Sequence, residues 1–326
     1  MRVRENGRGG GRHRAWIWGA DAMAFNPADY RDRILIAGPD LAAEIISRGW
    51  SNPGQIEQAV LVRPELVRDA ADVFVDAGAE ILLTPTARAS GLRPTFSGEP
   101  SPDVSSDVVK ANQAAAAVLR DSADGGPSGN GLVFGVVGPP PGLLALNEVK
   151  RDDLRSAYEA QIKGLADGGA DAILCQSFSE IETLNIAVEA AGSACELPLI
   201  GCMTFDCGPD RVESSSGVSV PRICSSLSDA GVAAVGCDGG ESPDSVPAVV
   251  ALMRESCDLP IWATVAAGLP DWVEGRLVYA ETPQEYGERL SALAAAGATF
   301  IGGGGGATPD HIAAMAAARL RHGKRG

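Results

Sequence analysis

Several residues able to do chemistry stand where strand-like apolar segments of the sequence end. Carboxylates and thiols at such places can exchange protons, act as nucleophiles or bind metal ions. No histidine, lysine or arginine converges on them, so the sequence shows no evident acid–base pair. Cys237 also fits the plainer interpretation of a buried small hydrophobic residue. The candidates are Asp40, Asp206, Cys207, Cys237 and Asp238.

A run of five glycines, Gly302–Gly306, follows the short apolar segment Thr299–Ile301. Thr308, Pro309 and Asp310 then have the pattern of an N-cap and the first turn of a helix. The order is therefore strand, glycine loop, helix. Because glycine has no Cβ, such a loop can bring its N–H groups and the positive end of the helix against an anion. A phosphorylated or carboxylate ligand at this loop is one hypothesis for function.

The elements that must position these residues form a repeat. In four segments, 77–82, 168–173, 230–235 and 296–301, an amphipathic helix ends at a glycine and an apolar strand follows. With the other apolar segments they give eight strands, near residues 34, 81, 132, 172, 199, 233, 261 and 299. Helices are predicted over 64–77, 107–119, 152–166, 181–191, 246–254 and 282–296. This alternation predicts an α/β fold, a (β/α)8 TIM barrel.

The ends of the strands are then where a site is expected, because the loops after the strands of a TIM barrel gather at one face. Cys175 and Gln176 are neighbours at the end of the fourth strand. Since side chains alternate along a strand, only one of the two can face the centre of the barrel. Arg88 and Arg93 follow the second strand and could offer a cation to a ligand.

Length and composition bound the remaining possibilities. The 326 residues, 45% of them hydrophobic, suffice for one large barrel, which we expect over 34–322 after a flexible N-terminal extension, 1–33. A net charge of −15 argues against a nucleic-acid partner. No apolar run is long enough for a membrane span, and the start lacks the apolar core of a secretory signal. We therefore expect a cytoplasmic protein, with its seven cysteines reduced.

The glycine loop and the helix after it resemble the homocysteine S-methyltransferase family, which includes betaine- and S-methylmethionine-dependent enzymes and the homocysteine module of methionine synthase. The family signature there is Gly-Gly-Cys-Cys-Gly-Thr-Thr-Pro-x-His-Ile. Gly304 and Gly305 stand where the signature has its two zinc-binding cysteines. The residues that fit the signature are Gly302, Gly303, Gly306, Thr308, Pro309, His311 and Ile312.

The resemblance also implies a mechanism that this sequence does not support. In the family, three thiolates hold Zn²⁺ and the thiol of the substrate takes the fourth place, which lowers its pKa. The resemblance places Cys237 at the position of the first zinc cysteine, whose Gly-x-Asn-Cys context here is Gly236-Cys237 without the asparagine. With glycines at the other two positions, we expect no metal site. Substrate-contacting acidic residues of the family are also replaced, by Ala37 and Gln176, so homocysteine is expected to bind poorly.

The site residues expected from this comparison all follow predicted strands. Cys237 and Gln176 are the predicted catalytic residues. His311 fits a structural hydrogen-bonding role better than that of a base. The predicted substrate-binding residues are Gly38, Thr84, Thr86, Gly303, Gly304, Gly305 and Gly306.

Three functions remain open from the sequence. The first is a divergent methyl- or alkyl-transfer enzyme that acts on another small molecule, without zinc, and it requires a pocket at the strand ends. The second is a non-catalytic binding or regulatory barrel, expected to lack the pocket. The third is an orthodox zinc-dependent homocysteine methyltransferase. Any corrinoid is expected on a separate protein, and self-association is a further expectation.

Overall fold

A computed structural model of the protein describes residues 25–52, 55–92, 104–127, 129–140, 149–240, 243–273 and 276–323. Eight parallel strands close into a barrel. The barrel strands are β1 (Leu35–Asp40), β2 (Ile81–Leu83), β3 (Leu132–Val137), β4 (Ala172–Phe178), β5 (Leu199–Thr204), β6 (Ala234–Asp238), β7 (Ile261–Val265) and β10 (Phe300–Gly303). Their order around the barrel is β1-β10-β7-β6-β5-β4-β3-β2. The prediction of a (β/α)8 barrel is confirmed.

Helices connect the strands and cover the outside of the barrel. The six predicted helices are present, each within a few residues of its predicted bounds. The helices are α1 (Ala42–Ser47), α2 (Ile56–Val62), α3 (Pro64–Asp76), α4 (Val104–Gly125), α5 (Arg151–Asp167), α6 (Ile181–Ala194), α7 (Val220–Asp229), α8 (Val246–Ser256), α9 (Pro283–Ala296) and α10 (Pro309–Gly323). Within the described part of the chain, none of them combines the length and the apolar character that a membrane crossing requires.

The glycine at each helix-to-strand joint has the left-handed conformation that ends a helix. Gly78, Gly231 and Gly297 have φ angles of 101°, 78° and 107°, and in the second joint it is Gly169, with φ 93°, rather than Gly168. Only glycine adopts this conformation without a steric cost. These four positions therefore fix where each helix stops and the next strand enters the barrel.

Large aromatic side chains fill the barrel at the end opposite the site. Phe134, Trp262 and Phe300 are fully buried there, with ring centroids 5.8–6.4 Å apart. The ring centroid of Phe25 lies 5.2 Å from that of Phe134, and the ring centroid of Tyr30 lies 6.4 Å from that of Phe300. Residues 25–33 had been predicted as part of a flexible extension, but these aromatic contacts pack them against the barrel. Residues 1–24 lie outside the described residues.

A two-stranded antiparallel hairpin, which the sequence pattern did not predict, follows β7. Its strands are β8 (Pro270–Val273) and β9 (Arg276–Tyr279), and it returns the chain to α9. Glu281 holds the C-terminal end of the hairpin through three contacts. The Glu281 N–H donates to the Ala267 carbonyl at 3.3 Å, the Glu281 carbonyl lies 2.9 Å from His311 Nε2, and the carboxylate accepts from Arg289. The end of the hairpin is thus held against the barrel mouth.

Candidate functional site

A cavity of about 650 Å³ opens at the C-terminal ends of the barrel strands. The ends of β1, β2, β3, β4 and β10 form its walls, and the hairpin contributes one residue, Tyr279. Apolar side chains such as Leu83 and Val136 make up much of the lining. The polar lining is concentrated in Asp40, Gln176, Ser177 and the loop that leads to α10. A volume of this size suits a small organic molecule.

Asp40 is the single carboxylate among the described residues that line this cavity. Its Oδ1 accepts a hydrogen bond from the Ala42 N–H at 2.8 Å. Asp40 is exposed by surface area because its side chain borders the open cavity, whereas the protein atoms packed around the carboxyl group desolvate it. This burial raises the pKa of Asp40, against smaller opposing contributions from the Ala42 N–H and the Arg88 guanidinium. A carboxylate in such surroundings is a stronger proton acceptor than one in water.

Replacing Asp40 by asparagine should increase stability at neutral pH. Below the ordinary aspartate pKa of 3.8 the carboxyl is protonated in both states, and wild type has no electrostatic penalty. As the pH rises, the unfolded chain ionises first, so the free energy of unfolding of wild type falls up to the raised folded pKa. Asparagine cannot ionise and keeps an oxygen for the Ala42 N–H. Urea unfolding from pH 3 to pH 7 measures the difference.

The matched control for this prediction is Asp258→Asn, because Asp258 is an exposed aspartate that does not line the cavity. We expect the stability gain of Asp40→Asn to appear only above about pH 4, since Asp40 is protonated in both states below that range. A gain of equal size in Asp258→Asn, or one that is present at pH 3, would contradict burial of the Asp40 charge as its cause.

Gln176 projects from β4 into the cavity, as its position in the strand requires. Leu174 lies in the barrel interior and Cys175 in the layer between barrel and helices, so Gln176 faces inward again. Its Oε1 is buried and has no hydrogen-bond partner among the described residues. Ser177 beside it has a positive φ of 64°, and the pairing with β5 shifts register between Cys175 and Phe178. The bulge therefore turns two consecutive residues toward the cavity.

The glycine loop forms the opposite wall of the cavity. The Gly304 N–H donates to the Val265 carbonyl at 2.7 Å and also lies 3.3 Å from Tyr286 Oη. The Tyr279 ring covers Gly306, where an added Cβ would lie 2.1 Å from Tyr279 Cγ. The loop thus packs against protein groups over much of its length. This packing weakens the hypothesis that the loop is a row of open N–H groups for an anion.

His311 holds the loop and the hairpin together. Its Nδ1 accepts from the Thr308 N–H at 3.2 Å and lies 2.7 Å from Thr308 Oγ1, and its Nε2 lies 2.9 Å from the Glu281 carbonyl. This pattern is that of a neutral imidazole with its proton on Nε2. Both ring nitrogens are used, so the geometry favours the structural role for His311.

The first comparison with known proteins decides the family. A family model described as homocysteine S-methyltransferase matches residues 37–319. The chain belongs to the homocysteine S-methyltransferase family. The methionine synthase of Mycobacterium tuberculosis (strain ATCC 25618 / H37Rv) is 26% identical over 265 residues, which cover 78% of this chain and 22% of that protein. The chain thus spans about a fifth of the length of this curated relative.

Solved structures show the same fold. The homocysteine methyltransferase MmuM from Escherichia coli, in its metallated form, has a TM-score of 0.70 at 20% identity and covers 87% of this chain and 96% of its own. A methyltransferase from Methanosarcina mazei has a TM-score of 0.59 at 13% identity, over 91% of this chain and 97% of its own. At these identities the likeness concerns the fold alone.

The position of Cys237 corrects the prediction that this homocysteine S-methyltransferase relative uses it in catalysis. Cys237 is 1% exposed and belongs to the layer between barrel and helices, whereas Cys202 of the neighbouring strand lies in the barrel interior. The inward residues at the end of β6 are Gly236 and Asp238. Burial raises the pKa of the Cys237 thiol well above its ordinary value. Cys237 is therefore a buried small hydrophobic residue, not a nucleophile at the cavity.

The Gly-x-Asn-Cys motif of the family can now be placed in register. If Gly236 matches its first residue, Asp238 matches the asparagine and Gly239 the cysteine. All three zinc-cysteine positions of the family would then be glycine here. At Gly304 an added Cβ would lie 2.6 Å from the Val265 backbone, so a cysteine does not fit without a backbone shift. Among the described residues, no group of three or more His, Cys, Asp or Glu side chains could hold a metal ion. The residues present do not fit a three-thiolate zinc site.

The other predicted residues divide into two groups. Gln176 and Gly303–Gly306 line the cavity, and their role in binding stays a prediction. Thr84 and Thr86 are fully buried and bond to each other at 2.7 Å and to β3 through Val136, so they join strands and do not face the cavity. Gly38 packs toward Phe74 on the outside of the barrel. Neither threonine nor Gly38 is placed to touch a ligand.

The remaining sequence candidates lie outside the cavity lining. Cys207 Sγ lies 3.2 Å from Asp206 Oδ1 in the loop after β5. Asp238 is directed into the barrel end, where burial raises its pKa, and its Oδ1 accepts from the Gly240 N–H at 3.3 Å. Arg88 lines a smaller cavity next to the main one, and Arg93 lies outside the described residues.

Two residues of the site were missed by sequence reasoning. Ser177 is not among the residues predicted from the sequence, because nothing in the sequence marks the bulge that turns it. Tyr279 was not considered, because its hairpin was not predicted. The available signal was weak, namely the apolar pairs Trp272-Val273 and Leu277-Val278 on either side of Glu274-Gly275.

Proposed function

We propose that this domain transfers a methyl group to a small molecule bound in the barrel-mouth cavity, and that it does so without the three-thiolate zinc site of its family. The observation that carries the proposal is the cavity of about 650 Å³ with its single carboxylate, at the end of the barrel where loops of this fold bind substrates. Membership of the family supports methyl transfer as the reaction.

Asp40 is the residue that replaces the metal in this proposal. In the family, zinc activates the acceptor by stabilising its deprotonated form. Here the acceptor's X–H bond breaks and its proton goes to the Asp40 carboxylate, while its electron pair forms the new bond to the methyl carbon. The donor leaves with the electrons of the bond that it loses. The raised pKa of Asp40 suits this proton transfer, because a carboxylate with a higher pKa accepts a proton more readily.

The acceptor in this proposal is not homocysteine bound as a thiolate. A thiolate needs a cation or a metal beside it to lower its pKa. The described lining of the cavity contains no lysine or arginine, and both ring nitrogens of His311 are already bonded. A negative carboxylate raises the cost of a second negative charge nearby. The cavity is therefore better suited to an acceptor that stays neutral until its proton is removed.

Metal content separates this proposal from an orthodox zinc enzyme. Protein purified from a medium that contains zinc should carry less than about a tenth of an equivalent after gel filtration, since a catalytic zinc needs about three protein ligands. Inductively coupled plasma mass spectrometry gives the ratio. Close to one equivalent of zinc, retained through gel filtration, would show that other ligands have rebuilt the site.

The catalytic part of the proposal is tested with donors that carry a deuterated methyl group. The folded protein is incubated with a metabolite extract and, in turn, S-methylmethionine, betaine or methylcobalamin, and labelled products are sought by mass spectrometry. Wild type should form a labelled product, and Asp40→Asn should form at least about tenfold less while being no less stable. Because methylcobalamin is among the donors, the assay also addresses donation from a separate corrinoid protein.

The second candidate function is a non-catalytic barrel. It would be favoured if no donor gives a labelled product with folded wild type. The expected sign of that function is an exposed apolar patch without a pocket, and the open cavity argues against it.

A further inference from the structure

We propose that Tyr279 is a substrate-contacting residue, that the glycine loop is shaped to seat its ring, and that its hydroxyl selects a ligand with a neutral hydrogen-bonding group such as an alcohol or an amide. The inference rests on the proposed use of the cavity and names the chemistry that the cavity recognises.

The Tyr279 ring is packed directly on the backbone of the loop. A Cβ at Gly306 would lie 2.1 Å from Tyr279 Cγ, and one at Gly305 would lie 3.0 Å from Tyr279 Oη. Real Cβ atoms essentially never approach another heavy atom within 3.0 Å, so any other residue at Gly306 would displace the ring. Gly305 is also one of the two positions where the family has a zinc cysteine. The phenol therefore stands beside the place where a metal-binding side chain would project.

The residues that follow Tyr279 in the chain also fix the position of its ring. Two residues after Tyr279, Glu281 is fixed by Ala267, Arg289 and His311 through separate hydrogen bonds. Thr282 then begins α9 with a reciprocal capping box. These contacts leave little freedom for the last residues of the hairpin. A preorganised group of this kind suits specificity, because little ordering entropy is lost when the ligand binds.

The hydroxyl of Tyr279 differs from those of the two buried tyrosines. Tyr158 donates to the Gly138 carbonyl and Tyr286 to the Val265 carbonyl. Tyr279 Oη makes no hydrogen bond with any residue that the structure describes, and its residue lines the cavity. Gln176 Oε1 lines the same cavity, buried and likewise unpartnered. A buried polar atom without a partner, such as Gln176 Oε1, is rare in native proteins unless a ligand or water completes it, whereas Tyr279 is half-buried and its hydroxyl is open to the cavity.

The chemistry of these two groups defines the ligand. A phenol can donate and accept, and an amide oxygen accepts, so the complementary group is one that both donates and accepts. Alcohols and amides meet this requirement. A thiol is a weak donor and a weak acceptor, and as a thiolate it would stand near the Asp40 carboxylate in a cavity whose described lining has no cationic side chain. The cavity should therefore favour oxygen- or amide-bearing ligands over thiols of the same size.

The test uses a matched series of probes, 1-propanol, propanamide and 1-propanethiol, and protein labelled with 3-fluorotyrosine. The chain has four tyrosines, and Tyr279→Phe assigns the signal of the residue in question. Propanol and propanamide should shift the Tyr279 fluorine resonance saturably, with propanethiol at least about tenfold weaker. In unlabelled Tyr279→Phe, propanamide binding measured by calorimetry should weaken about tenfold, while the thiol changes little.

Two variants keep the inference open to failure. Gly306→Ala should abolish the shift of the Tyr279 fluorine resonance, because the added Cβ displaces the ring. Gly231→Ala should leave that shift unchanged, because Gly231 has the same φ of 78° but no atom within 4 Å of an added Cβ. If the probes bind by calorimetry but leave the Tyr279 resonance unchanged, or if the thiol binds equally well, the inference is wrong and the proposed function stands. If no probe binds wild type, the selection of alcohols and amides is wrong, whereas the labelled-methyl assay judges the function separately.

Discussion

Alanine at Gly306 should lower the free energy of unfolding by about 2–5 kcal/mol, of which about 1–2 comes from the left-handed backbone and the rest from displacement of the Tyr279 ring. The φ angle of Gly306 is 78°, and the added Cβ would lie 2.1 Å from Tyr279 Cγ. Urea unfolding at pH 7 gives the free energies.

Gly231 provides the matched control for the Gly306 variant. It has the same φ of 78° but no atom within 4 Å of an added Cβ. Gly231→Ala should therefore show only the backbone cost, about 1–2 kcal/mol. The difference between the two variants isolates the contact with the ring.

A double-mutant cycle then connects that difference to Tyr279. In a Tyr279→Ala background the ring is absent, so Gly306→Ala should cost no more than Gly231→Ala does in wild type. The coupling free energy between the two positions should be about 1–3 kcal/mol. If Gly306→Ala costs the same with and without the Tyr279 ring, the glycine loop does not seat that ring.

The barrel was predictable because its determinants are local. Helix-ending glycines such as Gly78, Gly231 and Gly297 mark the joints, and apolar strands follow them at short distances. The hairpin was not predictable in the same way. Its strands are four residues each, too short to show a period, and what fixes it is the tertiary contact of Glu281 with Ala267, Arg289 and His311.

The candidate site was predicted only where backbone position decides the outcome. The glycine loop and Gln176 follow strand ends and reach the cavity. Cys237 was placed wrongly because β6 is apolar on both faces, as strands of a parallel barrel are, and such a strand shows no alternation that reveals which side faces inward. A shift of one residue separates Cys237, directed at the helices, from Asp238, directed into the barrel.

Thr84 and Thr86 show a second reason why site prediction failed. Short polar residues after a strand can bind a ligand or satisfy the backbone of the neighbouring strand. Here Thr84 Oγ1 accepts from the Val136 N–H at 2.9 Å, and Thr86 Oγ1 donates to the Val136 carbonyl at 2.7 Å. The hydroxyls are used within the barrel because a buried unpaired N–H or carbonyl is costly. Which of these two roles a threonine has can be seen only from the hydrogen bonds in the folded structure.

Reintroducing the family's cysteine at position 304 should destabilise the protein and not recruit zinc. A Cβ at Gly304 would lie 2.6 Å from both the carbonyl carbon and the oxygen of Val265 and 2.7 Å from the Ala266 nitrogen. These are backbone atoms, so the ends of β7 and β10 must separate. This separation would also break the hydrogen bond from the Gly304 N–H to the Val265 carbonyl. We expect Gly304→Cys and Gly304→Ala each to cost about 3 kcal/mol or more.

The control variant is Gly192→Ala in α6, where an added Cβ meets no atom within 4 Å. It should be neutral or stabilise the protein by up to about 1 kcal/mol, because alanine favours a helix over glycine.

Zinc binding is measured with the double variant Gly304→Cys, Gly305→Cys, prepared with one equivalent of zinc. It should retain well under half an equivalent after gel filtration, because two thiolates do not complete a site and Cys237 faces α7 and α8. Stoichiometric zinc in a double variant as stable as wild type would mean that the cysteine pair alone separates this chain from the zinc enzymes. A double variant that is less stable than wild type and retains no zinc would mean that the backbone at the barrel mouth does not accommodate the cysteine pair.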